Sequence, residues 1–169
     1  AVRLLSHQLS ESGGNIVIVD NSEVPSNNVI IDNCNILNLG ENKGIATAQN
    51  QGIDYCMEQG ADIIVFFDQD STISGGFIEK LIEPIIMKNE NIVAPTFIDA
   101  EKGFFYPIVS VSKLGFRTKI TPSKSSATFY TNTAISSGTA VKASVFDIVG
   151  KMQDELFIDY VDTEWVLTY

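Results

Sequence analysis

Cysteine and histidine are scarce in this chain. Among 169 residues there are two cysteines, Cys34 and Cys56, and one histidine, His7. The cysteines form no Cys-x-x-Cys pair, so the Cys/His cluster that a zinc site requires is missing. We expect both cysteines to be small, buried or half-buried thiols in a reducing compartment.

Long apolar segments and basic runs are missing too. No stretch approaches the roughly 20 apolar residues of a membrane-spanning helix, and the first residues do not resemble a signal peptide. The net charge is −10, and no run of Lys and Arg occurs. These features argue against nucleic-acid binding and against a polybasic anchor on a membrane surface, and they favour a cytoplasmic location.

Strand and helix patterns alternate along the chain. Short runs rich in β-branched residues predict strands, and apolar residues at helical spacing predict the helices between them. The alternation predicts one α/β domain over 1–169, with a mainly parallel sheet flanked by helices. The predicted strands are 15–19, 35–39, 62–67 and 91–95, with an extended piece at 29–31; the predicted helices are 2–9, 45–59 and 77–86.

The later part of the chain is less regular. Residues 103–132 predict irregular strands or a hairpin, and 134–141 predict a strand interrupted by a glycine. Helical patterns follow at 143–149 and 164–167. The chain opens in one helical segment and closes in another, so we expect a fragment of a longer protein, truncated at both ends.

Acidic residues stand where two predicted strands end. Ligands of α/β sheets bind outside the carboxyl ends of strands. Asp20 follows the first strand, and Asp68 and Asp70 follow the most apolar one. Two carboxylates at positions i and i+2 of a strand point the same way and favour a cation such as Mg²⁺ or Mn²⁺, shared with substrate phosphates.

Each of these acids has a simpler interpretation. Asp68 and Asp70 fit solvated loop residues or helix caps. Asp20 alone is better explained as a turn residue, because Asp-Asn-Ser favours Asx turns. Asp162 and Glu164, also two residues apart, fit a solvated helix N-terminus.

Four segments stand in the order of a known family's motifs: Ile18-Val19-Asp20-Asn21-Ser22, Asn38 to Ala46 continuing to Asn50-Gln51-Gly52-Ile53, Phe67-Asp68-Gln69-Asp70-Ser71, and Ser137-Gly138-Thr139 through Phe157 to Trp165. They resemble the inverting, GT-A-fold glycosyltransferases of family 2, most closely their bacterial rhamnosyltransferase-like branch. Together these segments span nearly the whole chain.

The resemblance implies a GT-A fold and a role for each matching residue. Asp20, Asn42, Gly44 and Asp68 would bind the nucleotide-sugar donor, and Asp70, with Asp68, would hold Mg²⁺ or Mn²⁺. Asp162 would be the general base, with Gly138 and Glu164 on the acceptor side. The nucleotide-binding part would cover about 1–100, and the acceptor and catalytic part about 101–169.

The resemblance also implies the partners. The donor is expected to be dTDP-rhamnose, and the acceptor a saccharide of a bacterial surface polymer, with a lipid-linked form and peripheral attachment at the inner face of the membrane as open alternatives. Two features of the family have no counterpart: its first strand, with a Thr-Tyr-Asn-type segment, would precede Ala1, and an Arg usually follows the position of Trp165.

Two other functions stay open at the level of sequence. Asp68-Gln69-Asp70-Ser71-Thr72 also fits the Asp-x-Asp-x-Thr signature of haloacid-dehalogenase-type phosphatases, with Asp68 as nucleophile. That signature normally lies on the first strand, and Lys151 and Asp159 or Asp162 are poorly spaced for its other motifs. The third possibility is a nucleotide-sugar-binding module without turnover.

Overall fold

A computed structural model of the chain describes residues 2–24, 33–99, 102–123 and 128–169. The elements in chain order are α1 (Val2–Ser10), β1 (Ile16–Asp20), β2 (Cys34–Asn38), α2 (Gly44–Glu58), β3 (Ile63–Val65), α3 (Phe77–Lys88), β4 (Ile92–Val93), β5 (Ile108–Val111), β6 (Arg117–Ile120), β7 (Ala140–Lys142), α4 (Ala143–Val149), a 3-10 turn at Asp154–Leu156, and α5 (Val161–Thr168). The predicted helices and strands are present up to 93, apart from the piece at 29–31, which lies outside the described residues.

The strands do not form the expected mainly parallel sheet. In the described part of the chain β1 pairs with β2 in parallel, whereas β7 lies between β3 and β4 and is antiparallel to both. β5 and β6 form an antiparallel hairpin within the region where irregular strands or a hairpin were predicted. The expectation was wrong because β7, from late in the chain, separates β3 from β4, which α3 connects.

The predicted strand over 134–141 is mostly a turn. Only its end belongs to β7, because the Thr139 N–H donates to the Ser136 carbonyl at 2.8 Å and closes a turn. Gly138 lies in that turn with φ 74°, a conformation that glycine adopts without steric cost. The turn lies beside the end of β3 in space, because the Phe66 N–H donates to the Thr139 carbonyl at 3.0 Å.

Helix α2 packs against strands of the β1–β2 sheet and of the β3–β7–β4 sheet. Ile53 is fully buried in one cluster with Ile64 of β3 and Val141 of β7. On the neighbouring position, a Cβ atom at Gly52 would lie 3.2 Å from Val19 of β1. Burial of an isoleucine side chain is worth about 1.5–3 kcal/mol, so Ile53 helps to hold α2 against β3 and β7, while Gly52 lies close to Val19 of β1.

In the described part of the chain, every helix is too short or too polar to cross a membrane.

Candidate functional site

The Asn21 side chain joins the end of β1 to the loop before α2. Its amide nitrogen donates to the Asn42 side-chain oxygen and to the Gly44 carbonyl, both at 3.1 Å, and its oxygen accepts the Lys43 N–H at 2.8 Å. The structure therefore brings together three predicted donor-site positions, Asp20, Asn42 and Gly44. Asn21 belongs to the first matching segment but is not among the predicted site residues. The signal that could have identified it is a side-chain amide, able both to donate and to accept hydrogen bonds, directly after a strand.

Asp20 forms a local turn at the same place. Its carboxylate accepts the Ser22 N–H at 3.1 Å and also bonds the Ser22 hydroxyl. This is the Asx turn that the Asp-Asn-Ser sequence favours. The turn orients one carboxylate oxygen, and the predicted contact of Asp20 with a nucleotide stays a prediction.

The first turn of α2 is capped by a distant carbonyl. The Ile45 and Ala46 N–H groups donate to the Phe157 carbonyl oxygen, at 2.6 and 3.3 Å. Gly44 makes this approach possible, since its φ is 84° and a Cβ there would lie 2.6 Å from that oxygen. Gly44 is therefore required where α2 meets the acidic, aromatic segment near 157.

Two side chains of α2 hold the same segment. The Asn50 amide donates to the Met152 carbonyl at 2.8 Å and to the Asp154 carboxylate at 2.9 Å, and it accepts the Met152 N–H at 2.9 Å. The Thr47 hydroxyl donates to the same Asp154 oxygen at 2.9 Å. Because Asn50 is buried, these bonds fix the segment that leads to α5.

Asp68 and Asp70 lie in a turn, not on a strand. β3 ends at Val65, and the Ser71 N–H donates to the Asp68 carbonyl at 3.0 Å. The side chains of Asp68 and Asp70 therefore do not share one face of a strand, and that expectation was wrong. The pair is nevertheless electrostatically coupled: partial desolvation, then the negative charges of Asp70 and Asp162, raise the pKa of Asp68 above its usual value.

Ser136 and Ser137 connect the two acidic regions. The Ser136 N–H donates to one carboxylate oxygen of Asp162 at 2.9 Å. The Ser137 hydroxyl accepts the Asp68 N–H at 3.3 Å and bonds the Ser71 hydroxyl at 2.7 Å. Adjacent residues of one turn thus contact both carboxylate-bearing segments, a role that sequence reasoning missed because these serines looked like part of a strand.

Asp162 is held at the start of α5. Its other carboxylate oxygen accepts the Thr163 N–H at 2.7 Å. Glu164, two positions later, accepts the Gln153 amide at 2.8 Å and the Thr168 hydroxyl at 3.1 Å. Residues i and i+2 of a helix do not face each other, so these two acids act in different surroundings.

A side chain at position 138 would prevent close packing of this turn. A Cβ at this position would lie 2.9 Å from the Pro95 ring, close to Phe77. The glycine lets the turn at 136–139 lie against the residues after β4. Its predicted place beside an acceptor is not tested by this contact.

Residues 5–141 match Glycosyl transferase family 2. The chain belongs to this family. It is also 45% identical, over 163 residues, to dTDP-rhamnosyl transferase RfbF of Shigella flexneri; the alignment covers 95% of this chain and 55% of the relative. The chain thus spans about half the length of the curated relative it matches.

Family membership confirms the resemblance and the α/β, GT-A class of fold. It does not favour the phosphatase alternative, in which Asp68 would be a nucleophile. The matched range contains Asp20, Asn42, Gly44, Asp68, Asp70 and Gly138, whereas Asp162 and Glu164 lie beyond it. The roles of all these residues in this glycosyltransferase domain remain predictions.

The acids of this glycosyltransferase domain suit a metal that is shared with a substrate. No group of three or more His, Cys, Asp or Glu side chains in the described ranges is arranged to hold an ion by itself. Mg²⁺ commonly binds through one or two carboxylates together with substrate phosphates and water. The raised pKa of Asp68 reflects, in part, repulsion from Asp70 and Asp162, which a cation would relieve. The donor set therefore fits a divalent metal that arrives with a diphosphate.

Proposed function

We propose that this chain carries the donor site and the general base of an inverting, metal-dependent glycosyltransferase. The proposed reaction moves rhamnose from dTDP-rhamnose to a saccharide acceptor, free or lipid-linked, in surface polysaccharide synthesis. The observation that carries the proposal is the turn at 136–139, whose Ser136 N–H bonds the Asp162 carboxylate and whose Ser137 hydroxyl accepts the Asp68 N–H. Family membership and the name of the 45% identical relative support it.

The donor part of the site is assigned to about 1–100. Asp20 would contact the base or ribose, and the loop of Asn42 and Gly44, held by Asn21, would line the nucleotide. Both lie where β1 ends, the side of an α/β sheet on which ligands bind. Asp68 would complete the donor site from the end of β3.

The metal part of the site is assigned to Asp70 and Asp68. These carboxylates are hard oxygen ligands suited to Mg²⁺ or Mn²⁺. When bound, the cation would neutralise charge on the leaving diphosphate. Asp70 is exposed, which leaves its carboxylate accessible to a diphosphate in solution.

The catalytic and acceptor part is assigned to about 101–169. The Ser136 and Thr163 N–H groups orient the Asp162 carboxylate. Asp162 would take the proton from an acceptor hydroxyl as its oxygen attacks the anomeric carbon and the bond to the diphosphate breaks, inverting the configuration. Gly138 and Glu164 are assigned to the acceptor side.

The test separates binding from chemistry in the full-length enzyme. Asp162→Asn should lower kcat by roughly 10²–10⁴-fold, the usual contribution of a general base, while calorimetric binding of dTDP-rhamnose stays unchanged. Asp70→Asn should weaken donor binding in Mn²⁺ but not in EDTA. Asp159→Asn is the matched control, because it removes an exposed acid of the same segment.

Three results would contradict the assignments. Normal turnover by Asp162→Asn would exclude it as the base. Donor binding that is equal in Mn²⁺ and EDTA would exclude the metal. Tighter binding of UDP- or GDP-sugars than of dTDP-rhamnose would exclude the proposed donor.

A further inference from the structure

Charge is segregated along this acidic chain. All 21 Asp and Glu residues lie outside 102–146, whereas six of the 11 Lys and Arg residues lie inside it. A net charge of −10 for the whole chain therefore hides one stretch that is purely basic. No basic run is visible in the sequence because these six residues are spread over 45 positions.

The β5–β6 hairpin gathers half of those basic residues. In its register Val111 lies opposite Arg117 and Val109 opposite Lys119, so both cations share one face of the hairpin. Lys113 stands in the turn between the strands. All three are exposed, and the sequence around them contains no acid to neutralise them.

The tip of the hairpin exposes two large apolar side chains. Leu114 is 84% exposed and Phe116 is 69% exposed. The turn beneath them is ordered: the Ser112 N–H donates to the Phe116 carbonyl and the Gly115 N–H to the Ser112 carbonyl, both at 2.8 Å. The backbone groups are thus satisfied while the apolar side chains project into water, which is an unfavourable arrangement in a protein without a partner.

The hairpin is tied to the turn that carries the candidate site. The Asn132 side-chain oxygen accepts the Val111 N–H at 2.9 Å, and the Thr133 hydroxyl donates to the Val109 carbonyl. Asn132 and Thr133 lie four and three residues before Ser136, whose N–H donates to the Asp162 carboxylate. A surface that held the hairpin would therefore also hold the acceptor side of the site close to it.

We propose that the tip of the β5–β6 hairpin docks on an anionic phospholipid surface, with Leu114 and Phe116 in the interface and Lys113, Arg117 and Lys119 at the headgroups. An apolar tip flanked by cations has the two features that interfacial membrane binding requires. The remaining surface bears the acids and is repelled by such a membrane, so the charge pattern selects this face for contact.

The test uses lipid vesicles and needs no glycosyl transfer, so it can fail independently of the proposed function. The protein should sediment with phosphatidylglycerol/phosphatidylcholine vesicles at low salt and bind phosphatidylcholine alone at least about tenfold less tightly, because each nearby cation contributes roughly fivefold. Raising the salt should weaken binding, since the attraction is screened.

Variants separate the apolar and charged contributions. Leu114→Ser with Phe116→Ser, and Arg117→Glu with Lys119→Glu, should each lower vesicle affinity at least about tenfold. Matched controls are Ile148→Ser, at a position 79% exposed on α4, and Lys80→Glu with Lys88→Glu on α3. The controls should retain vesicle binding, and thermal melts should show that every variant is folded.

A fluorescent probe reports where the tip lies. Trp165 is the one tryptophan of the sequence and is buried, so a tryptophan introduced by Phe116→Trp supplies the solvent-sensitive signal. Its emission should shift to shorter wavelength when anionic vesicles are added. Failure of the wild type to bind these vesicles, equal losses in the controls, or retention on heparin without vesicle binding would overturn the proposal.

Discussion

At the scale of single residues, Asp162 and Asp68 lie in different surroundings. The Asp162 carboxylate accepts hydrogen bonds from two backbone N–H groups. The charged form of Asp68 is disfavoured, because desolvation and the charges of Asp70 and Asp162 all raise its pKa. A raised pKa means that the native protein binds the proton more tightly than the unfolded chain, so this carboxyl destabilises the protein when it ionises.

We therefore expect Asp68→Asn to stabilise the protein at pH 7. The gain should shrink as the pH falls below the raised native pKa, and it should vanish below the unfolded value of about 3.9, where Asp68 is protonated in both states. Because the side chain is exposed, the gain should stay below about 1 kcal/mol, or about 4 °C in Tm. Thermal melts from pH 4 to 8 measure it.

The matched control for this variant is Asp62→Asn, at the opposite end of β3 from the acidic cluster. It should produce no comparable gain. A Tm of Asp68→Asn that is lower than that of the wild type at neutral pH would contradict the electrostatic interpretation.

At the scale of elements, the critical junction lies between α2 and the segment at 157. Gly44 and Gly40 both have positive φ, 84° and 72°, but only a Cβ at Gly44 would clash, whereas the space at Gly40 is open. Both alanine variants pay about 1 kcal/mol for the backbone conformation. Gly44→Ala should lose a further 1–3 kcal/mol or so, because the Phe157 carbonyl must move.

Urea denaturation of the two alanine variants measures this difference. Gly40→Ala serves as the control for the backbone term alone. Equal losses of unfolding free energy in the two variants would mean that the contact between Gly44 and Phe157 contributes nothing to stability.

The same junction shows what local sequence could predict. Helical spacing and β-branched runs predicted α1, α2, α3 and the first four strands, because those signals depend on neighbouring residues. The antiparallel place of β7 between β3 and β4 was missed. The paired residues lie between 47 positions apart (Val93 and Ala140) and 79 apart (Ile63 and Lys142), and such distant pairs leave no local pattern. The turn at 136–139 was missed because Thr139 and Ser136 close it through a backbone bond.

The candidate site was predictable to a similar extent. The acids at the end of β1 and after β3 could be predicted from the apolar runs before them. The hydrogen bonds from Asn21 to Asn42 and Gly44 could not be predicted from the sequence. Neither could the contacts of Ser136 and Ser137 with the two acidic segments. These contacts depend on which loops the tertiary fold brings together.

At the scale of the whole molecule, α2 joins the β1–β2 sheet to the β3–β7–β4 sheet through Gly52 and Ile53. Ile53→Ala removes methyl groups from a fully buried position and should cost about 2–5 kcal/mol. Ile86→Ala, on a 61% exposed side chain of α3, should change stability by less than about 0.5 kcal/mol.

Two probes follow this unfolding. Trp165 fluorescence reports the cluster that contains Ile53, and far-UV circular dichroism reports all the helices. We expect coincident transitions, as in a single cooperative unit. Separate transitions for the two probes would show that α2 does not couple the sheets.

The bonds from α2 to the segment near 152 also set an order of assembly. Asn50 and Thr47 bind partners 102 and 107 residues later in the chain. Such distant contacts form slowly, because loop closure costs entropy before any contact is gained. At about 5–20 residues per second, a ribosome takes about 5–20 seconds to reach those partners after α2 has been made. Of the segments assigned to the site, the one with the proposed base is therefore synthesised last.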